Sequence, residues 1–181
     1  MVVDMLFDSS EVNQILVFVL DEPRYALPLS AVERVERAVA ITPLPLKHRY
    51  IQGVINMQGQ IIPVVDIRQC FGMPAHEINE TDLFILAQTH LRLIALVADS
   101  VVGIHELTSH DLINANQILP GAAFIHGIAK VEGDLILLCD LDQFLSLEDE
   151  NKLESALKEI AKKLPARNSL RPLKCHEHHP P

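Results

Sequence analysis

Hydrophobic positions in this chain come in short blocks. Ile15-Leu16-Val17-Phe18-Val19-Leu20 is an apolar run of strand length. Asp21-Glu22-Pro23-Arg24 breaks it with turn chemistry, and Tyr25-Ala26-Leu27-Pro28 resumes it as a second strand. Blocks rich in Val and Ile, separated by Gly, Pro, Asn and Asp, continue to about Leu147. Punctuation this frequent predicts small barrels or sandwiches and not βαβ units. The period then changes. Leu153, Leu157, Ile160 and Leu164 fall on one face at helical spacing. Ser146 is placed to cap that helix, Glu148, Asp149 and Glu150 set negative charge at its positive end, and Pro165 stops it. The chain therefore divides into a loose lead-in over 1–12, a β domain over 13–147, a helix over 148–164 and a flexible tail over 165–181.

The β domain repeats itself. Tyr50-Ile51-Gln52-Gly53-Val54 lies over Phe124-Ile125-His126-Gly127-Ile128 at an offset of 74 residues (Gly127 against Gly53). The register holds without a gap through Gly59/Gly133, Ile62/Ile136, Asp66/Asp140 and Gln69/Gln143. A looser match at offset 69 sets Ala26-Leu27 over Ala95-Leu96 and Val32 over Val101. Two similar lobes follow, one over about 13–75 and the other over about 82–147, each a small barrel. A lobe of that size has a marginal core on its own. The two are expected to share an apolar interface or to exchange strands.

Charge and residue chemistry narrow the function. The chain has 181 residues, 49% of them hydrophobic, and a formal net charge of -9. That leaves no basic field for a nucleic acid backbone, and with no Trp and two Tyr there is little to stack bases on. No apolar run is long enough to span a bilayer, and the start carries no secretory pattern, so the expectation is a cytoplasmic protein without direct membrane insertion. Cys70, Cys139 and Cys175 are scattered without ligand spacing and read as structural thiols.

Asp66 and Asp140 end equivalent strands before a short helical turn, where a carboxylate caps backbone donors; Gly72 suits the left-handed stop after the first of these turns. His48, His76, His90, His105 and His110 are spread singly, and Cys175-His176-Glu177-His178-His179 clusters only in the tail. Ser109-His110-Asp111 has the residue types of a triad, but neighbours on one loop cannot converge as a triad must. There is no nucleophile elbow, P-loop or dinucleotide fingerprint. No cofactor, no metal and no catalysis are expected. The competing reading is a small ligand-binding barrel using Asp66, Asp99 or Asp140, and a third is a metal-responsive tail.

Several stretches resemble the CheW family of chemotaxis coupling proteins: Tyr25-Ala26-Leu27-Pro28-Leu29 with Val32 and Val35, then Thr42-Pro43-Leu44-Pro45, then Leu135 to Leu141. The most specific is Tyr50-Ile51-x-Gly53-Val54-Ile55-Asn56-x-x-Gly59-x-Ile61-Ile62-Pro63-Val64-Val65-Asp66-Ile67-Arg68. The resemblance covers about Ile15 to Leu147. It implies two packed SH3-like β-barrel lobes, a mainly β fold with a C-terminal α-helix, and a non-catalytic adaptor. Its implied partners are the regulatory domain of a CheA-type histidine kinase and the cytoplasmic tip of a chemoreceptor, in flagellar chemotaxis, pilus motility or another chemosensory pathway. Val32, Val35, Gly53, Asn56 and Gly59 match the family's receptor-facing positions; Ile41, Thr42 and Leu44 are assigned to kinase contact. Arg34 and Gln58 depart from the pattern, since the family places Glu at the first and Arg at the second. An acid has become a base and a base has become neutral, either by two unrelated surface losses or by a coupled change of partner preference, the second being favoured because an arginine at 58 would meet Arg34 with like charge.

Overall fold

A computed structural model describes residues 13–45, 48–114, 124–144 and 147–163. The lead-in over 1–12, the cap at Ser146, Leu164, the stop at Pro165 and the tail lie outside them. The first half of the chain forms β1 (Asn13–Val19), β2 (Arg24–Pro28), β3 (Val32–Arg37), β4 (Ile51–Met57) and β5 (Gln60–Val65). The second half forms β6 (Leu83–Gln88), β7 (Leu93–Ala98), β8 (Ser100–Leu107), β9 (Leu112–Asn114), β10 (Ile125–Val131) and β11 (Asp134–Cys139). The helix α1 covers Leu147–Lys163. It buries Leu153, Ala156 and Ile160, with Leu157 half-buried, so the alanine completes the face that periodicity alone drew with leucines.

The strands form two sheets, ordered β8-β1-β2-β11-β10-β9 and β3-β6-β7-β5-β4. Sheet membership does not follow the halves of the sequence. The five strands from β3 to β7 are contiguous in the chain and make one sheet; the other is made by β8 to β11 and completed by β1 and β2. β11 joins β2 in parallel through Leu138↔Ala26, and β5 joins β7 in parallel through Val64↔Ala95. Those pairs are related by the two offsets read from the sequence, 74 and 69, so the two sheets are built alike.

The repeat holds to the level of single hydrogen bonds. The β4–β5 pairing shifts register between Ile51 and Gly53, and β10–β11 shifts between Ile125 and Gly127. Asp66 N–H donates to the Tyr50 carbonyl at 2.8 Å, and Asp140 N–H to the Phe124 carbonyl at 3.0 Å. Gln58 and Gly59 turn the first hairpin with φ of 53° and 88°; Glu132 and Gly133 turn the second with 52° and 94°. Both central residues thus sit at positive φ, the geometry that matches the twist of a two-residue hairpin.

The described residues form three apolar clusters. One lies inside the β3–β7 sheet around Ile55, Ile62, Phe84 and Leu86, and one inside the other sheet around Ile15, Val17, Leu107 and Ile136. The largest joins the sheets: Leu16, Phe18, Tyr25 and Leu27 from one meet Val65, Ile85, Ile94 and Leu96 from the other. Tyr50 and its repeat counterpart Phe124 meet edge to face at 6.5 Å, and Phe124 stacks on Phe144 at 4.9 Å. Both expected devices are present, a shared apolar interface and exchanged strands.

Candidate partner-binding surface

β3 and β4 are the two edges of the five-stranded sheet. β3 carries the alternation Val-Glu-Arg-Val-Glu-Arg. Val32 and Val35 are half-buried and pack on the core shared by the sheets, while the charged residues between them face outward. A register shift lies between Val32 and Arg34 where β3 pairs with β6. Arg34 is engaged on its own strand: Nε donates to Glu36 Oε1 at 3.1 Å and Nη1 to Glu33 Oε1. The sequence sets Arg34 against position 58, whereas in the structure its guanidinium pairs with these two glutamates. Charged side chains along a free edge guard it against uncontrolled strand pairing.

The β4 edge is partly covered. Thr42 exchanges two 2.8 Å backbone hydrogen bonds with Val54, so the segment after β3 returns to lie along β4. Gly53 makes this approach feasible. Its φ is 148°, and a Cβ there would fall within 3.0 Å of the Thr42 carbonyl oxygen and of Ile41 Cγ2. Gly53, read from sequence as receptor-facing, and Ile41 and Thr42, read as kinase-facing, are therefore in contact. Leu44 follows two residues on, half-buried. At the hairpin tip Asn56 Oδ1 accepts the Gly59 N–H at 3.0 Å, and Gln58 and Gly59 are exposed.

Asp66 and Asp140 each accept a backbone N–H from two residues on, Arg68 and Asp142, both at 3.0 Å, as capping requires. Gly72 closes the first turn at φ 70°. The sequence reading missed what Asp66 does besides. Arg68 is fully buried; its Nη1 sits 3.2 Å from both Asp66 oxygens and its Nη2 on Asp99 Oδ1. The Asp-x-Arg spacing at a strand end was the available signal. Asp140 has no such arginine, since Asp142 holds the equivalent position, and faces His126 Nδ1 at 3.6 Å. The carboxylates of the ligand-binding alternative are thus an ion-paired couple, Asp66 and Asp99, bridged by one guanidinium, and a separate cap.

Asp111 accepts the Thr108 N–H at 2.8 Å and its hydroxyl at 2.7 Å, bonds that hold its carboxyl below the usual range. It closes the turn that begins at Thr108. Burial pushes the Cys70 thiol up to about 11 and the Tyr25 hydroxyl up to about 12. A thiol so placed stays protonated at neutral pH. Among the described residues no helix is long and apolar enough to cross a membrane.

Two sheets of one repeated design, sharing a core, define a paired small-barrel module. A family profile described as the CheW-like domain matches residues 14–149, and the chain belongs to that family. It is 29% identical over 140 residues to the chemotaxis protein CheW of Thermotoga maritima, covering 77% of this chain and 92% of that protein. Against the chemotaxis protein CheA of Listeria monocytogenes it is 29% identical over 138 residues, 72% of this chain but 21% of that protein. The crystal structure of the scaffolding protein CheW from Thermoanaerobacter tengcongensis superposes with a TM-score of 0.70 at 26% identity, over 77% of this chain and 96% of that one.

Proposed function

We propose that this chain is a cytoplasmic, non-catalytic adaptor that joins a CheA-type histidine kinase, through its regulatory domain, to the cytoplasmic tip of a chemoreceptor-like sensor. The observation that carries the reading is the two-lobe CheW-like fold spanning nearly all of the described β structure, with charged side chains along the β3 edge. In this reading β3 and the β4–β5 hairpin (Val32, Arg34, Val35, Asn56, Gln58, Gly59) face the receptor. Ile41, Thr42 and Leu44 face the kinase, and Gly53 seats that segment against β4. Arg34 offers a guanidinium already oriented by Glu33 and Glu36, which suits a receptor tip presenting carboxylate or backbone carbonyl groups where a common one meets a glutamate. The pathway can be flagellar chemotaxis, pilus motility or another chemosensory output.

The test is a binding titration of the purified chain against the kinase regulatory domain and, separately, against the receptor tip. Both are expected to bind, Thr42→Arg weakening the kinase alone and Arg34→Glu altering the receptor alone. Binding to neither partner by a folded chain overturns the reading.

A further inference from the structure

The histidines that the sequence scatters are not all isolated. His76 lies in the connection between β5 and β6, and its Nε2 is 2.8 Å from Asp82 Oδ2 and 3.9 Å from Asp99 Oδ1. One imidazole nitrogen and two carboxylate oxygens, drawn from two separate connections, thus lie within 4.8 Å of one another. Bonds to a single zinc-sized ion hold nitrogen and oxygen donors at most about 4.3 Å apart. Both imidazole distances already meet that limit. The ligands are also held from behind. Asp82 is buried; its carbonyl accepts the Ala38 N–H at 2.9 Å and its Oδ2 the Asn79 N–H at 2.8 Å. Between His76 and Asp82, Ile78 packs on the apolar cluster of the β3–β7 sheet. Asp99 Oδ2 accepts the Asp21 N–H at 2.6 Å, and Oδ1 accepts from Arg68, which is itself paired with Asp66. Each oxygen nearest the imidazole therefore takes one donor from elsewhere and keeps a second lone pair. Outer hydrogen bonds of this kind orient metal ligands without using the ligating pair.

We propose that His76, Asp82 and Asp99 form a binding site for a divalent transition-metal ion of the zinc type, with water completing its coordination. The neutral imidazole with its proton on Nδ1 presents the Nε2 lone pair to the ion. A nitrogen among the ligands disfavours magnesium and calcium, which take oxygen sets. The side chains of His76 and Asp99 keep 26% and 28% of their exposure, so an ion reaches the cluster from solvent. It stands in place of the His76–Asp82 hydrogen bond and draws Asp99 to the same centre. Asp99 lies where the chain passes from β7 in one sheet to β8 in the other, and its N–H donates to the Val19 carbonyl at 3.0 Å. The ion therefore fastens the β5–β6 connection to the crossover and, through Asp99, to β1 and the β1–β2 turn of the other sheet. A ligand held only by the folded chain stabilises it by mass action. The site stands apart from the adaptor reading, since none of its three residues is placed on the receptor or kinase surface.

The test is urea unfolding of the full chain, first stripped of metal by a chelator, with and without zinc at about 100 μM. Four chains are compared: the wild type, His76→Gln, Asp82→Asn, and a tail variant carrying His176→Ala, His178→Ala and His179→Ala. Gln keeps a donor for Asp82, and Asn keeps an acceptor for the Asn79 N–H, so neither change removes the local hydrogen bonds. Zinc is expected to raise the folding constant of the wild type and of the tail variant by about tenfold, as a dissociation constant near 10 μM requires. The two site variants are expected to change by less than about twofold, and magnesium at the same concentration to leave all four alone. A second readout needs no variant: zinc added to the wild type is expected to move the His76 ring resonances and the Asp82 and Asp99 amides in NMR spectra. Equal stabilisation of all four chains, which marks adventitious surface binding only, overturns the proposal. So does stabilisation that is lost in the tail variant, or an unmoved His76 ring.

Discussion

Asp66 and Asp140 occupy the same place in the repeat and accept the same backbone bond, but their surroundings differ by one residue, Arg68 against Asp142. Capping alone predicts a cost of about 0.5–2 kcal/mol for replacing either by Asn. That figure stands for Asp140→Asn. For Asp66→Asn it is too low, because the change also withdraws a charge from a guanidinium with no exposure to water, and breaking a buried pair costs about 3–5 kcal/mol. Chemical denaturation of the two variants is expected to show the larger loss at Asp66; equal losses would mean that Asp99 alone satisfies Arg68. Gly53 gives a second residue-scale prediction. Gly53→Ala places a methyl group against the Thr42 backbone at a φ that side chains avoid, with an expected loss of about 1–3 kcal/mol from overpacking and strain. Because the displaced segment holds Thr42 and Leu44, kinase affinity is expected to fall more than receptor affinity in the same titrations.

At the scale of elements, much was legible because strands and turns are local. The apolar blocks marked the strands, Gly59 and Gly133 marked the hairpins, and the constant offset of 74 set Asp66 over Asp140, where the same backbone bond recurs. What the sequence could not show was how elements meet. Nothing local says that β1 pairs with β8, or that the segment around Thr42 returns to β4. The Arg34 and Gln58 departures were visible as letters, whereas the engagement of Arg34 by Glu33 and Glu36 depends on side-chain reach along one strand. That engagement shapes the prediction for the edge. Arg34→Glu places three carboxylates on β3, at 33, 34 and 36, and Gln58→Arg adds a cation at the hairpin tip. The double variant is expected to bind a standard receptor tip better than the wild type and the native tip less well, by several-fold at most, since exposed charges contribute below about 1 kcal/mol each. Titration of both singles and the double against both tips checks this, and partner-independent, additive effects would separate the two positions.

The whole molecule is bound together by its largest cluster, which also carries a pH dependence. Cys70 packs against that cluster, and Tyr25 is part of it. Burial raises both groups, Cys70 from its usual value near 9 to about 11 and Tyr25 from 10 to about 12. A raised acid binds its proton more tightly when folded, so the contribution is intact below pH 9 and is lost as pH climbs from 9 toward 12, while the unfolded chain ionises first. Urea unfolding across that window is expected to show a steady decline that Cys70→Ser reduces at its lower end. The exchange of strands leads to a stricter expectation. A cut after Ala75 leaves one fragment with β1 to β5 and the other with β6 to β11, and neither can complete a sheet. In the first fragment β1 and β2 lose β8 and β11, while β3 loses β6 and β5 loses β7. The apolar faces that form the shared core are then left open on both fragments. Independent lobes divided at that point would each fold alone, with dispersed amide resonances. Lobes built from exchanged strands are expected to give two poorly structured fragments that recover the dispersed spectrum on mixing, and the intact chain is expected to unfold in one transition seen alike by near- and far-ultraviolet circular dichroism.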